Sequence, residues 1–381
     1  MEYTLKASIR TFMGIIISSL GFFSPNLLQA QTDWIASDTL VLKDPMPNLP
    51  LDQRSNMIQP VSSGIVYHVG SKMAYFESEQ ADPIVMDLSP GKRTQQFNIS
   101  NVERIGQEIF CQGSAWYGIY DLESEQITQS FWEIVNGPYL LNLQWSFAPI
   151  TYRQLGTDTL DLYVSLYAKK RKKYAKEGLY TPGHLQDLKT NTARIQRVRM
   201  VRKSGKWKRT EYQDFGSHKG DRMFEVANFN NHYNHLISCG DGMLFSGSYT
   251  HDIWEYDFEG NMVQQISAQG AAMPEEFMAT MKALNETEMN HFFENSGTYN
   301  APKYVPNTSW MLRTYRTPPT DGKRQYFLQI IHQETHEIFE IPIQEGFAVR
   351  AIYQGKMILS ETPIQENGYL KFPLYDIPTP K

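Results

Sequence analysis

Short runs of alternating apolar and polar residues cover most of the chain, and several of them end in the same way. Four runs close on Met or Tyr, then Asp, then an apolar residue: Met86-Asp87-Leu88, Tyr120-Asp121-Leu122, Tyr256-Asp257-Phe258 and Tyr375-Asp376-Ile377. The first three are followed by polar turn residues and a second alternating run, which predicts strand, tight turn and strand. The Asp carboxylate is expected to accept hydrogen bonds from backbone amides of the turn.

Two weaker copies of this pattern lie between the clear ones. Residues 197–212 alternate around Ser204-Gly205, and residues 326–341 carry His332 at the position of the Asp. The six turns are irregularly spaced, which is natural for a radial array of four-stranded antiparallel sheets that carries insertions. The pattern predicts an all-β fold, a six-bladed β-propeller, although the length of the chain also fits seven blades.

The two ends of the chain indicate how such a ring closes. The last triplet, at 375–377, has no strand after it, and the β-like run at 34–42 has no partner before it. Pairing of these two runs completes the last blade and removes an exposed strand edge. We therefore expect residues 34–42 to form the outer strand of the last blade.

One segment interrupts the β pattern. In residues 274–294, Pro274 suits a first helical position, and Phe277, Met281 and Leu284 recur near the helical period. This predicts a short helical insertion, as one helix or two, with these apolar side chains covering a propeller surface.

The start of the chain has the pattern of a secretory signal peptide. Lys6 and Arg10 precede an apolar run at 12–23, and small residues follow that run. We expect a signal peptide at 1–30 and a single propeller domain at 31–381, exported to the periplasm, the outer surface or the extracellular space. An uncleaved membrane anchor is the alternative. The apolar run is followed by no lipid-anchor cysteine.

These features together resemble a known group of proteins. The leader, the hairpin sequences "YDFEGNMVQQI" and "IYDLESEQIT", and the terminal "LKFPLYDI" are similar to the six-bladed β-propeller proteins, mostly of unknown function, exported by Bacteroidetes-type bacteria. The resemblance covers the chain after the leader at the level of fold, and it implies no catalytic residues.

Charge is distributed unevenly along the chain. Residues 169–209 contain 15 basic and 2 acidic residues, a net charge of +13, whereas the whole chain carries −5. This segment predicts a docking surface for an anionic partner, such as an acidic glycan, a membrane surface or an acidic protein. The alternative is a solvated, charged strand edge. Nucleic acid is not expected for an exported protein. The candidate partner-binding residues are Lys169, Lys170, Arg171, Lys172, Lys173, Arg197 and Arg199.

Three histidines are the candidate ligand-binding residues: His232, His235 and His251. In a strand, residues three apart point to opposite faces, so His232 and His235 share a metal only on a loop or helical turn. No metal site and no cofactor are therefore predicted, and polar residues on a blade-entry loop are the plainer interpretation.

The sequence contains none of the common catalytic motifs that we looked for. The chain carries no P-loop, no GxSxG elbow and no HExxH motif. This favours an exported, monomeric, non-catalytic binding or scaffold propeller of unknown ligand over an enzyme. The alternative is a carbohydrate-active hydrolase or lyase with its site in the central funnel, where carboxylates from different blades meet.

The chain has two cysteines, Cys111 and Cys239, both in strand-like contexts. Two cysteines do not make a disulfide framework. We expect two free, buried thiols, with a disulfide in an oxidising compartment as the alternative.

Overall fold

Six antiparallel sheets form a ring in this computed structural model. The residues that the structure describes are 34–51, 57–69, 72–87, 99–113, 116–132, 134, 139–141, 150–169, 193–217, 234–279 and 286–378. The predicted signal peptide lies outside them. The predicted all-β fold and six-bladed propeller are confirmed. The described residues form six blades, so the seven-bladed alternative was wrong.

The first three blades follow one another along the chain. Blade 1 contains β2 (Met57–Val61), β3 (Gly64–Val69), β4 (Lys72–Phe76) and β5 (Ile84–Asp87). Blade 2 contains β6 (Ile99–Ile105), β7 (Glu108–Gly113), β8 (Trp116–Asp121) and β9 (Gln126–Trp132). Blade 3 contains β10 (Tyr139–Leu141), β11 (Tyr152–Gly156), β12 (Thr159–Lys169), β13 (Ile195–Lys203) and β14 (Lys206–Phe215), and its first position is shared by β10 and β11.

The remaining blades continue the same order until the last. Blade 4 contains β15 (Asn234–Cys239), β16 (Gly242–Gly247), β17 (Asp252–Asp257) and β18 (Met262–Ser267). Blade 5 contains β19 (Thr298–Tyr299) and β20 (Lys303–Tyr304) in its first position, then β21 (Trp310–Arg316), β22 (Tyr326–His332) and β23 (Ile338–Ile343). Blade 6 contains β24 (Val349–Tyr353), β25 (Lys356–Leu359), β26 (Ile364–Glu366), β27 (Tyr369–Asp376) and, from the start of the described chain, β1 (Asp38–Lys43).

The first strands of the blades lie around the axis of the ring. β2 contacts β24 and β6, and β20 contacts β15 and β24. Because these strands run in the same direction, all of them begin at one face, here named the upper face, and end at the other, the lower face. The turns from first to second strand and from third to fourth strand therefore lie on the lower face.

The hydrophobic core lies between neighbouring blades. Met73 and Tyr75 of blade 1 pack against Ile109 and Tyr120 of blade 2, and all four are at most 3% exposed. Burial of each such side chain stabilises the fold by about 1.5–3 kcal/mol. Cys111 is buried in the same cluster, and both cysteines are free thiols, as expected.

At the ends of two third strands, the Asp carboxylate accepts a hydrogen bond from a backbone amide of the following turn, as expected. Asp121 Oδ2 accepts a hydrogen bond from the Ser124 amide at 2.8 Å, and Asp257 Oδ1 accepts one from the Asn261 amide at 2.8 Å. The weaker copy at Ser204-Gly205 is also a third-to-fourth turn, with φ of 52° and 74°, the left-handed pair of a tight hairpin.

The copy at Asp87 is different, and the hairpin predicted there was wrong, because the next described strand, β6, belongs to another blade. Asp87 ends β5, which is the fourth strand of blade 1, whereas the third strand ends at Phe76. The pattern of an apolar run followed by Asp marks a strand end on any strand, because an Asp can accept turn amides wherever the chain reverses.

Ring closure by the two ends of the chain is confirmed. β1 pairs with β27 in antiparallel register, from Asp38 opposite Leu374 to Lys43 opposite Tyr369. The Ser37 amide donates to the Leu374 carbonyl at 2.9 Å and extends the pairing.

The helical insertion was predicted over 274–294, and the described residues contain one helix there, α1 (Glu286–Asn295), which ends one residue beyond that segment. Residues 274–279 form bends and irregular structure instead of a helix. Their backbone groups bond elsewhere: the Phe277 carbonyl accepts from the Gly297 amide at 2.7 Å, and the Ala279 amide donates to Ser296 Oγ at 2.9 Å. These bonds replace the i to i−4 bonds of a helix. Phe277 is 4% exposed and packs on the propeller, as predicted. Met281 and Leu284 lie outside the described residues.

The closure of the ring is tested with paired substitutions in β1. Leu40 and Leu42 are buried, whereas Thr39 and Lys43 on the same strand are exposed. Each buried Leu→Ala change should cost about 2–5 kcal/mol, while the Thr39→Ala, Lys43→Ala control should stay within about 1 kcal/mol. Chemical denaturation should show one transition, shifted as a whole in the leucine variant. An unchanged midpoint for Leu40→Ala, Leu42→Ala contradicts closure by β1.

Candidate functional site

The central channel contains a cavity of about 530 Å³ at its lower end. Every blade contributes to the wall through its first strand or the residues beside it. One lining residue from each blade, in chain order, is Val61, Glu103, Tyr152, Ile237, Lys303 and Arg350. A single ligand in this cavity therefore contacts the whole ring, which makes it the candidate functional site.

Glu103 supplies a buried carboxyl group on the wall formed by blade 2. It lies on β6 and is 4% exposed. Its Oε1 accepts hydrogen bonds from the backbone amides of Ser62 and Arg104, both at 2.9 Å. Burial raises the pKa of Glu103 to about 7, and the bonds from Ser62 and Arg104 only partly oppose that effect. The carboxyl group is thus held in place and titrates near neutrality.

Lys303 and Arg350 supply positive charge on the wall formed by blades 5 and 6. Blade 5 is three places from blade 2 in a ring of six, so Lys303 lies across the channel from Glu103, and Arg350 lies on the next blade to Lys303. Burial and, to a smaller extent, the charge of Arg350 lower the pKa of Lys303 to about 7. Burial also lowers the pKa of Arg350. The cavity is therefore asymmetric, with acid on one side and two neighbouring cations on the other.

The rest of the cavity wall is mostly apolar. Pro60, Ile150, Ile237 and Ile352 line it. Gln59 adds a polar group: its Nε2 donates to the Val102 carbonyl at 2.7 Å, while its buried Oε1 has no hydrogen-bond partner among the described residues. The channel thus presents polar groups at separate points of an apolar surface.

A second cavity, of about 610 Å³, lies at the upper face between blades 4, 5 and 6. Its lining is rich in aromatic side chains, and it shares Arg350 with the channel cavity. The six aromatic residues are Tyr249, Phe293, Tyr299, Tyr315, Tyr326 and Phe347. Arg350 therefore lies between the lower cavity, which carries the charged groups, and the aromatic upper cavity.

The structure places two of the predicted histidines beside the upper cavity. His235 Nε2 lies 3.2 Å from Ser248 Oγ, and burial lowers the pKa of His235 to about 3, which keeps the ring neutral. His251 Nδ1 lies 2.7 Å from the Tyr299 hydroxyl. The Tyr299 amide donates to the Ser248 carbonyl at 2.8 Å, so both histidines belong to one network. His232 lies outside the described residues.

The structure does not gather these histidines into a metal centre. Within the described part of the chain, no group of three or more His, Cys, Asp or Glu side chains is placed to hold a metal ion. His235 and His251 each meet a hydroxyl group through one ring nitrogen, whereas the buried Nδ1 of His235 has no hydrogen-bond partner among the described residues. Their assignment to ligand binding stays a prediction.

Two of the predicted basic residues are engaged by carboxylates within blade 3. Arg199 Nε and Nη2 donate to the two oxygens of Asp161 at 2.8 and 2.9 Å, and its Nη1 donates to Glu211 at 3.1 Å. Arg197 also forms an ion pair with Glu211. Alternation along β13 is as expected, with Val198 buried between the two arginines. Their charge is largely compensated inside the blade.

The other predicted basic residues lie at the end of β12 and in the connection that follows it. Lys169 is the last residue of β12, and Lys170, Arg171, Lys172 and Lys173 lie outside the described residues. β12 ends, and β13 begins, at the upper face. The hypothesis of an anionic partner therefore depends on this lysine-rich group and stays a prediction.

The channel residues were missed by sequence reasoning. Glu103, Lys303 and Arg350 are far apart in the sequence and meet because each lies on a first strand. A usable signal was present: a charged residue interrupts a short apolar strand in "NVERI", "PKYV" and "VRAI". That signal identifies a channel residue only when the first strand of each blade is already known.

The fold and the cavity define a six-bladed β-propeller with a charged central channel. No protein-family model and no curated protein matches the chain. A solved structure of a DUF4221 family member from Bacteroides vulgatus is similar, with a TM-score of 0.54 and 10% identity over 91% of this chain and 99% of that chain. The predicted resemblance to Bacteroidetes-type propellers of unknown function is confirmed at the level of fold.

Weaker similarities extend to other propellers. The Pan2 WD40 domain of Neurospora crassa has a TM-score of 0.40 and 7% identity over 86% of this chain and 80% of that chain. A streptogramin B lyase structure has a TM-score of 0.39 and 8% identity over 88% of this chain and 97% of that chain. Separately, no helix within the described residues is long and apolar enough to cross a membrane.

The raised pKa of Glu103 predicts a pH dependence of stability. The neutral carboxyl stabilises the fold fully below pH 4.5, its unfolded pKa, and this stability is lost as pH rises through about 7. The Glu103→Gln side chain does not ionise, so the variant does not lose this stability as the pH rises. The unfolding free energy of the variant, relative to wild type, should therefore rise by up to about 3 kcal/mol between pH 4.5 and 8.

Denaturant titrations at several pH values measure this difference. Lys303 titrates in both proteins, so its effect cancels in the comparison. Glu123→Gln, at an exposed position of a lower-face turn, is the control and should show no such rise. A difference between Glu103→Gln and wild type that does not change with pH contradicts the assignment.

Proposed function

We propose that this protein is an exported, non-catalytic binding propeller that takes a small ligand in the lower cavity of its central channel. The observation that carries the proposal is the cavity to which all six blades contribute, with charged groups on opposite walls. Its volume of about 530 Å³ falls in the usual range for small-molecule sites. Export is supported by the leader pattern of residues 1–30.

Binding is preferred to hydrolysis because of the chemistry of the wall. Glycosidases typically place two carboxyl groups on either side of the bond to be cleaved. Among the described residues that line the cavity, Glu103 is the single carboxylic acid, and the groups across the channel are the cations Lys303 and Arg350. No observation favours the hydrolase or lyase alternative.

A second surface belongs to the proposal as an expectation. The lysine-rich group at Lys169–Lys173 would dock an anionic partner, an acidic glycan being the simplest for an exported protein. Its support is the charge of +13 in residues 169–209. Because Arg197 and Arg199 are engaged by carboxylates, the docking charge must come from the connection that follows β12.

A bulky substitution that fills the lower cavity tests whether the channel is the binding site. Ser238 is exposed and lines the cavity, so Ser238→Trp should fill it without displacing a core side chain. Ser267→Trp, at an exposed position on the outer strand of the same blade, is the matched control. A panel of sugars, sugar acids, amino acids and short fatty acids is screened by thermal shift, and hits are measured by calorimetry.

Ligands that bind in the channel should bind Ser238→Trp at least about tenfold more weakly than wild type, a loss of about 1.4 kcal/mol. Their affinity for Ser267→Trp should equal that for wild type. Hits that bind Ser238→Trp as tightly as wild type place the ligand elsewhere and contradict the proposal. Mass spectrometry of each hit after incubation detects cleavage. A cleaved hit supports the enzyme alternative instead.

A further inference from the structure

Arg350 differs from the nearby arginines Arg313 and Arg316 in having no hydrogen-bond acceptor among the described residues. Arg313, which is fully buried, donates to Gln329 Oε1 at 3.0 Å and to the His251 carbonyl at 3.1 Å. Arg316 donates to Thr298 Oγ1 at 3.0 Å. Arg350 forms no hydrogen bond and no ion pair with any described residue, although it is half-buried in the wall of the cavity. Guanidinium groups in such positions normally meet several acceptors.

A second cation stands beside this guanidinium. Lys303 is 9% exposed, and the charge of Arg350 acts on its ammonium group across the same wall. Two neighbouring cations on one wall repel one another, which costs free energy. An anion beside Arg350 would reduce that repulsion and supply the acceptor that its guanidinium lacks among the described residues. The wall formed by blades 5 and 6 is therefore built to receive a negative charge.

The opposite wall sets a different requirement. Glu103 is held by two backbone amides at 2.9 Å, so its position does not depend on a ligand. A ligand group facing it is favoured if it donates a hydrogen bond. Between the two walls the lining is apolar, including Pro60, Ile150 and Ile237. An inorganic anion satisfies only the cationic wall and leaves the apolar surface uncovered.

We propose that the channel binds an organic carboxylate, with its carboxylate group on Arg350 and Lys303, an apolar body along the channel and a hydrogen-bond donor facing Glu103. This inference rests on the proposed function, because it names the chemical class of the channel ligand. A planar guanidinium matches a carboxylate through two parallel hydrogen bonds. The apolar lining favours a molecule with a hydrocarbon body over a free phosphate or sulfate ion.

The test uses probes that differ in one group at a time: hexan-1-ol, hexanoate, 6-hydroxyhexanoate, inorganic phosphate and inorganic sulfate. Each is titrated by calorimetry into wild type at constant ionic strength. Hexanoate should bind at least about tenfold more tightly than hexan-1-ol and than either inorganic ion. The terminal hydroxyl of 6-hydroxyhexanoate should add affinity in wild type, and Glu103→Gln should reduce that gain.

Substitutions of the cationic wall complete the test. Arg350→Gln should lose at least about tenfold in hexanoate affinity, and Arg350→Lys, which keeps the charge, should lose less. Arg209→Gln, at an exposed position on the outer strand of blade 3, is the control and should bind as wild type does. Thermal unfolding of each variant establishes that it is folded before affinities are compared.

Failure of this inference is distinguishable from failure of the proposed function. Equal affinity for hexan-1-ol and hexanoate, or equal hexanoate affinity in Arg350→Gln and wild type, overturns the carboxylate site. Tighter binding of phosphate or sulfate than of hexanoate overturns it in favour of an inorganic anion. If these ligands are still blocked by Ser238→Trp, the channel stays the binding site. If Ser238→Trp blocks none of them, the channel hypothesis itself fails.

Discussion

The antiparallel pairing of β1 with β27 is the interaction on which the rest of the structure depends. It joins residues near the two ends of the chain, from Asp38 opposite Leu374 to Lys43 opposite Tyr369. Without it, blade 6 ends in an open edge, and β24 is less firmly held beside β2 at the axis. The channel exists because six first strands surround one axis, so the pairing at the rim maintains a cavity at the centre.

The channel concentrates polar groups that the fold itself does not need. A propeller core is satisfied by apolar contacts between blades, as at the contact of blades 1 and 2. Glu103 and Lys303 instead carry pKa values moved to about 7 by burial, which is a cost to stability. Buried groups of this kind cluster at functional sites. This cost, together with the geometry of the cavity, supports a ligand in the channel.

The sequence predicted local features well and relations between blades poorly. Hairpin ends at Asp121 and Asp257 were recognised because strand, turn and Asp lie within a few residues. At Asp87 the same signal could not tell a fourth strand from a third, because strand order is a property of the sheet. Residues 274–279 were expected to be helical, yet tertiary bonds such as Gly297 to Phe277 override local propensity. The charged channel was missed because its residues meet only in the closed ring.

Native-state hydrogen exchange of β1 tests the central claim most directly. In a ring closed by this strand, the bonded amides of β1 open only when the whole ring unfolds. Their exchange free energy should therefore equal that of global unfolding and match the bonded amides of β18, an outer strand within one continuous blade. Exchange of β1 amides much faster than that of β18 amides would show a frayed edge and contradict closure by the ends of the chain.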